Sequence, residues 1–300
     1  MSWGPAPVPL NLNPGIVWTG TETPEFSFTT YEIGQYFNGV WNGVGLLAAY
    51  DGNVTQAGLL TLSLGNIKQL SGTYSLTAAA LTSFSAPTLT AISNESNFTL
   101  TVNALTAFSM PNLSIVGGGF AFISSSYSTA FLLPDLYYCG SGNFTVTAAL
   151  ARSVSLPLLV YGGGNFTLTV NAATTISLPA LSVTGGALSI TANAATITLP
   201  SLASVSGGAV SIVDPSLVTF SIGAALKLVY GNFTITGAAL SQASVDGILV
   251  SLAALNGSGG TTTYSGKTIN LSGGTSHAPS SVGLAAKATL VARSCIVTTN

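Results

Sequence analysis

Acids, bases and metal ligands are scarce in this chain, and their spacing does not gather them. Of 300 residues, eight are Asp or Glu, six are Lys or Arg, and one is His. Glycan cleavage needs two carboxyl groups about 5 to 9 Å apart across one bond. Glu95, Asp135 and Asp214 instead fall at different phases of the repeat described below, and from Ser153 to Val213 no Asp, Glu, Lys, Arg or His occurs. His277 is the single histidine. That excludes a histidine-rich metal site and argues against a Ser-His-Asp arrangement, leaving local hydrogen bonding as its expected role. The glycine runs GGGN (162–165) and GSGG (257–260) lack the strand-to-helix context and the lysine of a phosphate cradle. No basic stripe for nucleic acid can be drawn from six cations. No catalytic, cofactor or metal residue is assigned, and the chain is expected not to be an enzyme.

The chemistry that remains is that of neutral hydroxyls. Thr99 and Thr101, Thr145 and Thr147, Thr167 and Thr169, Ser189 and Thr191, and Thr234 and Thr236 recur as T-x-T pairs. On a strand both members of a pair point outward. Stacked strands would then carry two parallel files of methyl and hydroxyl groups, explained by β propensity and threonine ladders or by use as a recognition grid. Nine N-x-S/T sequons begin at Asn53, Asn94, Asn97, Asn112, Asn143, Asn165, Asn232, Asn256 and Asn270. Four of them are the repeat's own NFT, read as turn Asn, inward Phe and outward Thr. Cys139 and Cys295 read as small buried hydrophobes, and spacing alone does not decide whether they are bridged.

What must position these residues is a ladder of repeats. The prolines of SFSAPTL, AFSMPNL, FLLPDL, SVSLPLL, TISLPAL and TITLPSL are Pro87, Pro111, Pro134, Pro157, Pro179 and Pro200. Their interval shortens slightly along the chain around a period of about 22 residues. A second marker keeps the same period, from NFTLTV at Asn97 to NFTITG at Asn232. Within a repeat the apolar period is 2. Phe166, Leu168 and Val170 alternate with Thr167 and Thr169, and Ile176, Leu178 and Leu181 form a second apolar set around Pro179. Each coil therefore offers two short strands, closed by Gly-Gly. Stacked coils about 4.8 Å apart predict a mainly β, parallel β-solenoid on the order of 35 to 40 Å long over residues 59–240.

The pattern L-x-I-x-x-N…I-x-L-P-x-L-x-x-V-x-G-G resembles the leucine-rich-repeat-like solenoids of the receptor L-domain and bacterial surface-adhesin type, with Asn103, Asn171 and Asn193 at the turn. It departs from leucine-rich repeats proper in having no helical segment per coil. The threonine files are similar to the ice-binding faces of antifreeze solenoids, but Ala121, Ile123 and Val213 interrupt them.

Both ends differ from the middle. Residues 241–300 predict an α/β cap: a helix on Val245, Ile248, Leu249 and Leu252 capped by Ser241 or Ser244, a strand in KTINLSGG, a helix opened by Pro279 and Ser280, and a last strand in CIVTTN. Lys267, Lys287 and Arg293 are here. The tail from Ile269 to Asn300 resembles segments that close repeat proteins of tailed bacteriophages. Residues 1–58 do not repeat; they hold Trp3, Trp18 and Trp41 and four acidic residues with no Lys or Arg. That segment reads as a cap or as a docking arm anchored by its aromatics.

Only 5% of residues are charged and the net charge is −2, although mean hydropathy is +0.59. Ser, Thr, Asn or Gly interrupt every apolar stretch, so no membrane insertion is expected. No secretory leader is read at Met1. A weakly charged surface does not repel an identical neighbour. These features predict a homo-oligomeric structural protein of a bacteriophage virion surface, a tail fibre, tail or capsid decoration component, touching other virion proteins and, through the solenoid, a host-surface glycan. A bacterial adhesin or self-assembling extracellular fibre, and an ice-binding protein, are the alternatives.

Overall fold

In the computed structural model the chain is described over residues 60–300, except 65, 66, 71 and 94, and as backbone strands at Gly34–Phe37, Val40–Gly43 and Gly52–Thr55. It is a mainly β parallel solenoid of about seven turns, closed at the C-terminal end by two helices. Each turn contributes three strands. In one coil these are Phe166–Thr169, Thr175–Ser177 and Val183–Thr184, before Leu188–Thr191 opens the next. The cross-section is therefore three-sided.

The first strands of the turns, continued by two strands of the cap, build a long face of eleven strands, running from Gly52–Thr55 to Ile296–Thr298. The two-residue strands build a short face of eight, from Gln69–Leu70 to Leu228–Val229. Between them lies a middle face, split into two sheets of five strands. The sequence pattern shows two strands per coil, and the third escapes it. Two residues beside a glycine pair are too few to show an alternation.

Alternation drives the fold from inside. Phe166, Leu168, Val170, Ile176, Leu178 and Leu181 are all buried. Because the pairing is in register, identical inward residues stack on one another. Tyr74, Phe98, Phe120, Phe144 and Phe166 form an aromatic column whose successive ring centroids are 5.3, 5.3, 5.3 and 4.9 Å apart and nearly parallel. Stacking adds roughly 0.5–1.5 kcal/mol per pair beyond burial.

At the corner between the short and long faces the coil backbones come closest. A Cβ on Gly163 would land on the carbonyl oxygen of Gly140, and one on Gly185 on that of Gly163. Only glycine fits such a file, which is why the Gly-Gly pair recurs.

Two irregularities have local causes. Three positions separate Leu105 from Phe108, but four separate the equivalent Tyr127 from Phe131. This extra residue divides the middle face between Ala107–Ser109 and Ala130–Leu132. The Tyr127 hydroxyl donates to the Ala130 carbonyl at 2.6 Å, and the stacked rings of Phe108 and Phe131, 5.5 Å apart, carry packing across the break.

The coil opened by Leu188 is one residue short at its first corner. Its neighbours close that corner with Ala151 N–H to Ala148 O and Ala173 N–H to Val170 O. Here the Ala194 N–H instead donates to the Asp214 carboxylate of the following coil at 2.8 Å. A buried acid thus replaces a turn bond.

The cap follows from its own sequence. Helix α1 (Gln242–Ala253) is capped by Ser241 and buries Val245, Ile248, Leu249 and Leu252. Helix α2 (Ser281–Ala292) is capped by Ser280. The strands Thr268–Asn270 and Ile296–Thr298 that accompany them extend the long face. Asp246 on α1 accepts the Ser280 N–H at 2.9 Å and the Ser280 hydroxyl, while Gly283 lets the helices close over it. A carboxylate at a helix N-terminus satisfies free N–H groups and complements the dipole. Among the described residues, no helix is long and apolar enough to cross a membrane.

Candidate interaction surface

The long face aligns the threonine files. One file runs Ser75, Thr99, Ala121, Thr145, Thr167, Ser189, Ser211, Thr234, each opposite the next in the parallel ladder. The other runs Thr77, Thr101, Ile123, Thr147, Thr169, Thr191, Val213, Thr236. All nine predicted threonines are half-buried. The first file keeps a hydroxyl at every rung from Thr145 to Thr234; Ala121 and Ile123 break both files one coil earlier.

A second hydroxyl face went unread in the sequence. On the middle face Ser153, Thr175, Thr196 and Thr219 form one file, and Ser155, Ser177, Thr198 and Ser221 another. The signal was there in SVS, TIS, TIT and TFS, where hydroxyls flank a single inward residue. One inward residue per strand leaves no period to detect.

The short face has another character. Ile115, Tyr138, Tyr161, Val183, Ser204 and Leu228 align along it. The rings of Tyr138 and Tyr161 stack at 5.2 Å, and Tyr137, Leu158 and Val160 are exposed beside them. This is an aromatic patch amid hydroxyls.

The NFT asparagines work between coils. Oδ1 of Asn97, Asn143, Asn165 and Asn232 accepts the backbone N–H of Gly119, Asn165, Ala187 and Thr268 in turn, at 2.6 to 3.0 Å. Asn94 lies outside the described residues. So do Trp3 and Trp18; Trp41 sits opposite Leu62 in a parallel strand pair, and its side chain is outside the described set.

The candidate acids and the histidine stay apart. Glu95 and Asp135 are exposed in different coils, whereas Asp214 is buried, accepting N–H groups from Ala194 and Ser216. Burial raises its carboxyl above the usual range, opposed in part by those bonds. His277 is exposed, and its backbone N–H donates to the Leu240 carbonyl. Among the described residues no group of three or more His, Cys, Asp or Glu could hold a metal. Cys139 and Cys295 are free and buried, and burial pushes the Cys139 thiol up to about 12.

Comparison with protein-family models, with curated proteins and with solved structures gives no match. The parallel β-solenoid therefore stands on the structure itself, and the likeness to leucine-rich repeats and to phage caps gains nothing from relatives.

Proposed function

We propose that the chain is a non-enzymatic structural subunit of a multimeric surface, and that this surface is a bacteriophage virion, as tail fibre, tail or capsid decoration. The observation that carries the subunit reading is the solenoid exterior. Two in-register hydroxyl faces and an aromatic short face run over several coils with no charged side chain from Ser153 to Val213. Neutral flat faces do not repel copies of themselves, and tyrosine is a preferred interface anchor.

In this reading residues 1–58, with Trp3, Trp18 and Trp41, attach the subunit, and the solenoid is displayed toward other virion proteins or a host glycan. Attribution to a phage rests on the resemblance of the tail from Ile269 to Asn300 alone. Genes flanking the coding sequence test it: tail, capsid or assembly genes are expected, and a locus of metabolic or secretion genes overturns it. A self-assembling extracellular fibre is the second reading, favoured by the uneven charge along the chain. Ice binding has the interruption of the threonine files at Ala121 and Ile123 against it, and ice-crystal shape in its solution decides it.

A further inference from the structure

Charge is segregated along the chain. Residues 1–58 contain Glu22, Glu25, Glu32 and Asp51 with no cation, whereas residues 227–300 contain Lys227, Lys267, Lys287 and Arg293 against the single acid Asp246. That acid is occupied at the N-terminus of α2. The cations are held by neutral groups: Lys267 lies 5.2 Å above the Tyr230 ring, Lys287 donates to the Thr299 hydroxyl, and Arg293 donates to the Leu255 carbonyl. Tyr230 and Ile296 are among the most exposed large hydrophobics of the described chain, at 60% and 67%.

Lys227, Tyr230, Lys267, Arg293 and Ile296 come together at one corner of the last coils. Ile296 N–H bonds the Lys267 carbonyl, Gly266 N–H bonds the Arg293 carbonyl, and Lys227 is three residues from Tyr230. The corner is cationic and apolar, the chemistry that an acidic, tryptophan-bearing segment would fit. We infer that this corner binds the N-terminal segment of a second copy, joining subunits head to tail; the inference rests on the reading that residues 1–58 attach the subunit.

The occupant is a second copy because the acids beside the described strands are tethered at the wrong end of their own solenoid. Glu32 is two residues from Gly34–Phe37, and Asp51 abuts Gly52–Thr55, the first strand of the long face. The last strand of that face lies ten strand spacings away, about 48 Å. Those carboxylates reach cap cations only across a junction between chains. Such a contact is heterologous, so it propagates into open filaments or closes into a ring.

Sedimentation of the full-length chain across concentration, at low and high salt, tests the inference. Self-association is expected at low salt and should weaken at least about tenfold near 0.5 M, where screening is short-ranged. Lys227→Glu with Lys267→Glu, and separately Glu22→Lys with Glu25→Lys and Glu32→Lys, should each abolish it while leaving the β-sheet circular dichroism intact. Mixing the two variants should restore it. Tyr230→Ser with Ile296→Ser supplies a cap variant that keeps every charge, and it too should weaken association. If only the N-terminal variant loses association, the cap is not the partner and attachment through residues 1–58 stands. If neither variant loses it, or the chain is monomeric throughout, both readings fall.

Discussion

Asp214 shows how one side chain repairs a corner that is a residue short. Replacing it with Ala leaves the N–H groups of Ala194 and Ser216 without their side-chain acceptor inside the protein. About 1–3 kcal/mol of stability should be lost, read from urea unfolding. The carboxyl is raised by burial, so its folded value lies above its unfolded one. Its contribution is therefore complete below about pH 3.9 and declines as pH rises through the folded value. Asp214→Asn should remove that part of the pH dependence, and an unchanged stability profile from pH 4 to 7 would refute the assignment. Asn165 gives a milder case: Asn165→Ala loses the bond to Ala187 and about 0.5–1.5 kcal/mol, whereas Asn165→Asp keeps an acceptor and should lose less. The sequence showed that the NFT asparagine recurs, but not that it accepts from the coil above. That bond joins two successive coils, so no local pattern contains it. The cysteines were legible as buried hydrophobes. With the Cys139 thiol pushed up to about 12 and Cys295 buried, alkylation at pH 8 should proceed only on unfolding.

At the scale of elements, long strands and helices could be read and short strands could not. Phe166–Thr169 carries a visible alternation, and the cap helices announce themselves by apolar spacing and a serine cap. Val183–Thr184 has no such length, and the hydroxyls of the middle face were hidden for the same reason. The join between α1 and α2 was also invisible, since Asp246 and Ser280 lie far apart in the chain. Asp246→Ala removes the acceptor of both Ser280 groups at the start of α2. The expected cost is about 0.5–2 kcal/mol, with faster amide exchange concentrated in Ser281–Ala292. Uniform acceleration through the solenoid would show instead that the cap and the coils open as one unit.

For the whole molecule, register governs more than any one contact. Each coil meets only its neighbours, so stability is approximately a sum of coil terms and interface terms. Phe166 and Leu188 occupy equivalent rungs of adjacent coils. Excising residues 166–187 joins Asn165 directly to Leu188 and returns every later residue to its own face. The asparagine then leads into LSIT as it formerly led into FTLT, the glycine corner still finds Gly164 ahead of it, and the cap is untouched. Such a chain should fold with a cooperative transition at a lower midpoint. Excising residues 166–176 instead removes half a turn. Ser177 then takes the place of Phe166, the long-face ladder loses a strand, and Pro179 enters a position whose N–H bonds the next coil. Circular dichroism with thermal melting separates the two variants. Equal behaviour, folded or unfolded, would mean that the coils are not interchangeable units and that the repeat period does not set the fold.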